Sequence, residues 1–268
     1  MLKKGAIGTP VATLQRLLQS AGFKITADHH FGDATEKALI AFQRRAGLIA
    51  DGIAGPKTLE ALQNRARNPK HLSEQDLEKV ATRLGIPIAA LKAVNTVESN
   101  GRGFNDDGRP VILYERHVAY KRLQAVDADA DYLATRYPNL INPKRGGYLG
   151  GPGEWSRLSN ARQITADYPG LADECCSWGQ FQIMGYHWSE LDYPSCAQFV
   201  ASMHISEAFQ LDAFARFIEA DPALLKALKA KKWADFARGY NGPAYKENSY
   251  DVKLARAFER FSREEVAA

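Results

Sequence analysis

Residues 28–39, DHHFGDATEKAL, are echoed 23 positions later by residues 51–62, DGIAGPKTLEAL. Asp28 aligns with Asp51, Gly32 with Gly55, Thr35 with Thr58, Ala38 with Ala61 and Leu39 with Leu62. Two copies are too few for a solenoid, so the echo describes one small unit with two equivalent turn–helix steps. In each copy a glycine, which bends at low steric cost, precedes a residue suited to a helix N-terminus: Asp33 by capping, Pro56 by its pre-set φ. Ahead of the first copy, Val11, Leu14, Leu17 and Leu18 recur at helical spacing. The pattern predicts three short helices packed on Leu14, Leu17, Leu18, Leu39, Phe42, Leu59 and Leu62. Asp28, Phe31 and Asp51 fall in the turns, where a ligand can reach them. His29 and His30 are adjacent, hence badly placed to share a metal, and read as solvated side chains.

Charge sharpens the division. Residues 1–65 hold nine basic and five acidic residues, so the whole formal excess of +4 lies there, and residues 66–268 balance. A basic module suits an anionic polymer such as a cell wall; the excess is too small, and too poor in aromatic–basic motifs, for a nucleic-acid binder. No apolar run has the length of a membrane span, and MLKKGAIGTPVATLQ lacks the apolar core of a classical signal peptide. The three cysteines, Cys175, Cys176 and Cys196, are odd in number and two are vicinal. That pattern argues against a disulfide framework, and no CxxC or HxxxH spacing suggests zinc. No motif calls for a metal or an organic cofactor.

Residues 64–72, NRARNPKHL, read as a polar linker interrupted by Pro69. Ser73 with Asp76 then resembles a capping box. Leu77, Val80, Ala81 and Leu84 form a helical stripe that Gly85 stops. The remainder is mainly helical, with Val111–Tyr114 as the best strand and the Gly-rich Arg145–Gly153 as an irregular loop. The expected architecture is mainly α. A three-helix domain over 1–65 and a linker over 66–74 precede a helix-dominated α+β domain over 75–268.

Within that domain Pro87 opens a helix containing Ala89, Ala90, Leu91, Val94 and Val97, which ends at Asn100–Gly101. Glu98 and Ser99 therefore occupy its last turn. A carboxylate there faces the negative end of the helix dipole, and an apolar setting would add to the effect, so both raise its pKa. A general acid working near neutral pH needs that shift. Farther on come Ser177-Trp178-Gly179-Gln180-Phe181-Gln182-Ile183-Met184 and Tyr240-Asn241-Gly242.

Two resemblances follow from these residues. VATLQRLLQSAGF, FGDATEKALIAFQRRAGL and DGIAGPKTLEAL are similar to the type 1 peptidoglycan-binding domain over residues 7–63. VESNGRGF, ILYERH, SWGQFQIMG and YNGPAY, in that order, resemble the N-acetylmuramidase domain of modular phage endolysins, within the lysozyme superfamily, over roughly residues 75–263. The resemblance implies a lysozyme-like fold and cleavage of the β-1,4 bond between N-acetylmuramic acid and N-acetylglucosamine. It implies that Glu98 protonates the glycosidic oxygen, that Ser99 orients it, and that Ser177, Gln182, Tyr240 and Asn241 line the saccharide cleft. Amides and phenols suit sugars, offering directional hydrogen bonds and stacking faces. Hydrolysis normally uses a second carboxylate. Glu115, ending the strand-like run, is the first candidate against an ion-pair or helix-cap role, while Asp106 and Asp107 read as an Asp-Asp-Gly turn. A lytic transglycosylase, needing one Glu and leaving 1,6-anhydromuramic acid ends, stays open, as does a non-catalytic wall-binding virion protein. The resemblance further implies a monomer without stable membrane insertion. It would be made in the host cytoplasm and act on the wall in the periplasm.

Overall fold

The computed structural model describes residues 1–99 and 101–266, so Asn100, half of the expected helix-stopping pair, lies outside the described residues. The chain divides into two units, Met1–Arg83 and Leu84–Ala268. The first holds α1 (Thr9–Ser20), α2 (Asp33–Arg45), α3 (Pro56–Asn64) and α4 (Glu74–Leu84). Leu14, Leu18, Leu39, Phe42 and Leu62 are buried together, with Leu17 and Leu59 packed against them. The capping box forms: Ser73 Oγ accepts from Asp76 N at 3.2 Å, and Ser73 N donates to Asp76 Oδ2 at 2.9 Å. Ala50 N donates to Glu74 at 3.0 Å, so the segment read as a linker leads into a helix held by the first unit.

The sequence echo is an echo in hydrogen bonds. Gln15, fully buried, donates through one amide nitrogen to Asp28 Oδ1 (2.8 Å), the His30 carbonyl (3.0 Å) and Thr35 Oγ1 (2.9 Å). Gln43, equally buried, donates to Asp51 Oδ1 (2.8 Å), the Ile53 carbonyl (3.0 Å) and Thr58 Oγ1 (3.2 Å). Asp28 and Asp51 also accept the backbone N–H two residues on, each at 2.9 Å. One oxygen of each carboxylate, Oδ1, thus shapes its turn, while Asp28 stays exposed and Asp51 half-buried. The Gln15 amide, followed by the His30 N–H, holds the Asp28 carboxyl below its ordinary range. The reading of Phe31 is corrected: it is 1% exposed, because Gly5 N and Ala6 O bond its backbone and draw the turn onto the chain's start. Gly32 and Gly55 both N-cap in extended conformation at φ −91°, where no left-handed freedom is used.

The second unit surrounds a small antiparallel sheet. In chain order it contains α5 (Ile88–Glu98), β1 (Ile112–Tyr114), α6 (Arg116–Ala125), α7 (Ala130–Arg136), α8 (Gly153–Ile164) and α9 (Leu171–Glu174). These are followed by β2 (Cys176–Trp178), β3 (Ile183–Met184), α10 (Cys196–Ile205), α11 (Glu207–Ala220), α12 (Pro222–Lys229), α13 (Trp233–Asn241) and α14 (Tyr250–Val266). The sheet runs β1-β2-β3, with Leu113 opposite Ser177 and Ser177 opposite Met184. Alternation gives it two faces. Ile112, Tyr114, Cys176, Trp178 and Ile183 point into the core, whereas Leu113, Met184 and the following Glu115 stay half-buried on the other face. Every residue of α5 from Ala89 to Asn95 is buried, so two turns of this helix are enclosed before it emerges at Thr96. Its alanines, Ala89 and Ala93, make room for Phe261 of α14. Among the described residues no helix is long and apolar enough to cross a membrane.

Candidate active site

Glu98 is the last residue of α5, and Ser99 caps it by donating its N–H to the Asn95 carbonyl at 3.3 Å. A helix end presents unpaired carbonyls, a poor setting for negative charge. Among the described residues one side-chain donor reaches the acid: Asn241 Nδ2 donates to Glu98 Oε1 at 3.0 Å. Burial pushes the Glu98 pKa from 4.5 up to about 7, and the Asn241 hydrogen bond and the Lys253 charge offset only part of it. Near neutral pH the group therefore holds a proton it can release.

The acid is tied to the β2–β3 turn from two sides. Asn95, one helical turn before Glu98, accepts from Gln180 Nε2 at 2.9 Å. Tyr240 Oη, beside Asn241, donates to the Phe181 carbonyl at 2.9 Å. Gln210 locks the same turn from α11: it accepts from Gln180 N at 2.7 Å and donates to the Gly103 carbonyl at 3.1 Å. A Cβ on Gly179 would lie 2.6 Å from Gln210, so only glycine permits this approach. Gln180 and Gln210 were not legible as site residues. Gln180 sits inside the SWGQFQIM motif, and that was the available signal.

Several expected cleft residues are engaged internally. Ser177 Oγ donates to Gln182 Oε1 at 2.7 Å, and Gln182 Nε2 donates to the Gly179 carbonyl at 2.8 Å. The pair closes the turn, and Gln182 is held at φ 52°, which a side chain rarely adopts. Each end of the Gln182 amide thus makes one hydrogen bond within the turn, and its second N–H is left for another partner. Tyr240 is likewise engaged: its ring packs among Phe214, Phe217 and Phe236. Ser99 Oγ accepts from Gly101 N at 3.3 Å. Of the expected companions, Asn241 alone hydrogen-bonds Glu98.

Glu115 N-caps α6 and lies two residues beyond Leu113, on the open face of the sheet. Tyr148 Oη donates to its Oε2 at 2.8 Å, and His117 Nδ1 lies 3.1 Å from the same oxygen. Arg145 Nε donates to His117 Nε2 at 3.2 Å, which leaves Nδ1 as the protonated nitrogen facing Glu115. The β2–β3 turn is at the other end of the sheet, where Gly179 N donates to the Val111 carbonyl. Four residue steps of extended chain from Val111, about 13 Å, thus separate the backbone of Glu115 from that turn. Asp106 and Asp107 pair with Arg102 and Arg109 in an exposed turn.

A third carboxylate escaped the sequence reading. Glu154, fully buried at the start of α8, accepts from Tyr114 N (3.0 Å), Leu149 N (2.7 Å), Gly150 N (3.0 Å) and Arg157 Nη1 (2.7 Å). It anchors the Gly-rich loop that presents Tyr148. Burial pushes its pKa up, but those donors outweigh burial and the net shift is downward. The three thiols are buried, and burial raises each of them, Cys196 to about 12, so none is a nucleophile. Among the described residues no group of three His, Cys, Asp or Glu side chains is placed to hold a metal ion.

A largely buried helix ends in one proton-bearing carboxyl, in a unit that follows in sequence a separate helical unit built on duplicated turns. That is the organisation of a modular glycan-cleaving protein. The N-acetylmuramidase family profile matches residues 87–262, and the profile of a peptidoglycan binding domain matches residues 8–62. The chain belongs to the N-acetylmuramidase family. Its fold is similar to the crystal structure of the Burkholderia AP3 phage endolysin, with a TM-score of 0.92 and 53% identity, covering 98% of this chain and 99% of that one. Shorter similarities reach a probable N-acetylmuramoyl-L-alanine amidase of Bacillus licheniformis, 48% identical over 65 residues, 23% of this chain. Another reaches the N-acetylmuramoyl-L-alanine amidase CwlM of Mycobacterium tuberculosis, 54% identical over 56 residues, 20% of this chain. The chain spans only 18% and 14% of the length of those two amidases.

Proposed function

We propose that this chain is an endolysin: its first unit binds bacterial peptidoglycan, and its second hydrolyses the β-1,4 bond between N-acetylmuramic acid and N-acetylglucosamine. The observation that carries the reading is Glu98, a carboxyl at a helix end whose burial raises its pKa to about 7. In the reaction Glu98 gives its proton to the glycosidic oxygen as the C1–O bond breaks and the bonding pair leaves with that oxygen. Water adds to C1 and passes its proton to a second carboxylate. Glu115 is our choice for that base. It lies beside the half-buried face of the sheet, at the opposite end from the turn that bonds Asn95 and Tyr240, and the carboxyl separation decides the stereochemical course. Wide pairs, roughly 6.5–9.5 Å, invert the anomeric centre. Asn241 sets the position of Glu98, and Tyr240, Ser177 and Gln182 keep the cleft wall in shape. The protein works as a monomer, is made in the host cytoplasm and acts on the wall in the periplasm.

One observation favours a second reading, the lytic transglycosylase. Glu115 is already engaged by Tyr148 and His117, as a purely structural carboxylate would be. Mass spectrometry of fragments released from purified Gram-negative peptidoglycan separates the two. Reducing N-acetylmuramic acid ends support hydrolysis and the role of Glu115. Ends in 1,6-anhydromuramic acid would leave Glu98 as sole acid and base and return Glu115 to the scaffold.

A further inference from the structure

Phe31 is buried, and Asp28 and Asp51 each commit one carboxylate oxygen to their turns, so a second face of the first unit is a candidate for the ligand. Helices α1, α2 and α3 all end around one groove of about 470 Å³. Phe42 and Leu62 line it, and its charged residues are Arg45, Arg65 and Arg67; no acidic residue borders it. Arg45 is held rigidly, over the Phe23 ring at 4.7 Å and donating to the Ala21 carbonyl at 2.7 Å. Arg67 donates to the carbonyls of Asn68 and His71. Arg65 caps α3 in the left-handed conformation, φ 56°, which costs a non-glycine residue energy. It is exposed, and no ion pair with an acidic side chain forms at it among the described residues.

A simpler account is that these arginines only neutralise three helix C-termini. The magnitudes do not close. Each helix end contributes roughly −0.5 of a charge, so three ends offset about half of three guanidiniums. A positive remainder persists in a concave, partly apolar setting, where charge is screened less than on open surface. Between the arginines the walls are alanines, Ala21, Ala46 and Ala66, which leave room for short side chains.

We propose that this groove binds the acidic peptide stems of peptidoglycan, with stem carboxylates on the guanidiniums and stem methyl groups over Phe42 and Leu62. The inference rests on the wall-binding reading above and assigns its site. Arg45 and Arg67, already fixed by backbone carbonyls, supply preorganised charge, and Arg65 supplies a guanidinium free to close on the ligand.

The test uses the full chain carrying Glu98→Gln, so that the wall stays intact, and measures its depletion by purified Gram-negative sacculi. Adding Arg65→Asn, which tolerates the left-handed backbone, is expected to weaken binding by about threefold, and Arg65→Glu by about tenfold, with unchanged circular dichroism and melting temperature. Sacculi whose stem carboxylates have been converted to amides are expected to lose most of their affinity for the parent protein. Undiminished binding by both Arg65 variants, or equal binding to amidated sacculi, would overturn the groove assignment while leaving wall binding standing. A parent that no sacculi deplete, amidated or not, would instead refute the wall-binding reading itself. Tighter retention by duplex DNA than by sacculi would identify the groove as a phosphate site and also overturn the proposal.

Discussion

The end of α5 and the start of α8 each bury a glutamate, and the two behave in opposite ways. Glu154 is fully buried yet accepts four hydrogen bonds, three from backbone N–H groups and one from a guanidinium, and its pKa falls. Glu98 is less enclosed and receives one side-chain hydrogen bond, and its pKa rises to about 7. Burial alone therefore does not make an acid. What matters is whether the fold supplies enough donors to replace the water it removes. Around Glu154 it does, and the residue becomes a fixed anion that fastens the Gly-rich loop to β1. Around Glu98 it withholds them, and the residue keeps a proton.

The sharpest way to break this contrast is to remove the proton. Glu98→Gln keeps an acceptor for Asn241 but cannot protonate a leaving group. Turnover on purified sacculi should fall by about 10²–10⁴-fold with sacculus binding retained. A variant that still released fragments at the parent rate would end the assignment of Glu98 as the acid. Glu154→Gln should act on the other quantity. It places an amide N–H₂ among donors and strips Arg157 of its anion, so stability should drop by about 3–5 kcal/mol in denaturant melts. The pKa of Glu154 is lowered in the folded state, so its contribution is present above the unfolded value and lost as pH falls through the folded one. The variant should accordingly lose the part of the parent's acid limb that this group contributes. Equal melting curves for variant and parent would show that the loop does not depend on this anion.

The two glutamates also differ in how far the sequence exposes them. Glu98 was readable because it ends an apolar helical run and opens a motif. The helical stripes of the first unit and of α11 and α14 were readable for the same reason, since periodicity survives in a linear string. Strands β2 and β3 were not, because elements of three and two residues are too short to show alternation. Glu154 and Gln210 were invisible as anchors because their partners are remote: Gln210 bonds Gly103 across 107 positions, and Glu154 bonds Tyr114 across 40. Ser177 and Gln182 show the converse problem. A free amide and one satisfied inside a turn are the same letter, and only geometry separates them. Phe31 was misplaced because nothing in its own neighbourhood reveals the hydrogen bonds from residues 5 and 6 that pull its turn inward.

A smaller effect sharpens the comparison from the side of stability. The Glu98 pKa is raised on folding, from 4.5 to about 7, so between those values the folded protein binds the proton more tightly than the unfolded chain. Stability linked to this group is complete below the lower value and declines as pH rises through about 7. Glu98→Gln does not titrate. Relative to the parent it should become more stable between pH 5 and pH 8, by up to about 3 kcal/mol if the whole shift is expressed. An active-site acid held against its solvation preference is a common place for such a gain. Urea melts at the two pH values test it, and a difference between variant and parent that does not change with pH would mean that Glu98 is solvated like any surface carboxylate.

The least of these effects concerns Asn241, the one side chain among the described residues that hydrogen-bonds Glu98. Its N–H favours the ionised carboxylate, so it works against the burial that raises the pKa. Asn241→Leu removes that donor and adds apolar surface, and both changes should push the Glu98 pKa farther up. The protonated form would then persist to higher pH, and the alkaline limb of kcat/KM, expected near pH 7 for the parent, should shift upward. Turnover at pH 6, where both proteins are protonated, should drop only a few-fold, reflecting looser positioning at roughly 1 kcal/mol for one hydrogen bond. A merely structural Asn241 would lower activity equally at every pH and leave the limb where it was. The pH profile, not the size of the loss, therefore decides whether this residue tunes the acid or only holds α13 in place.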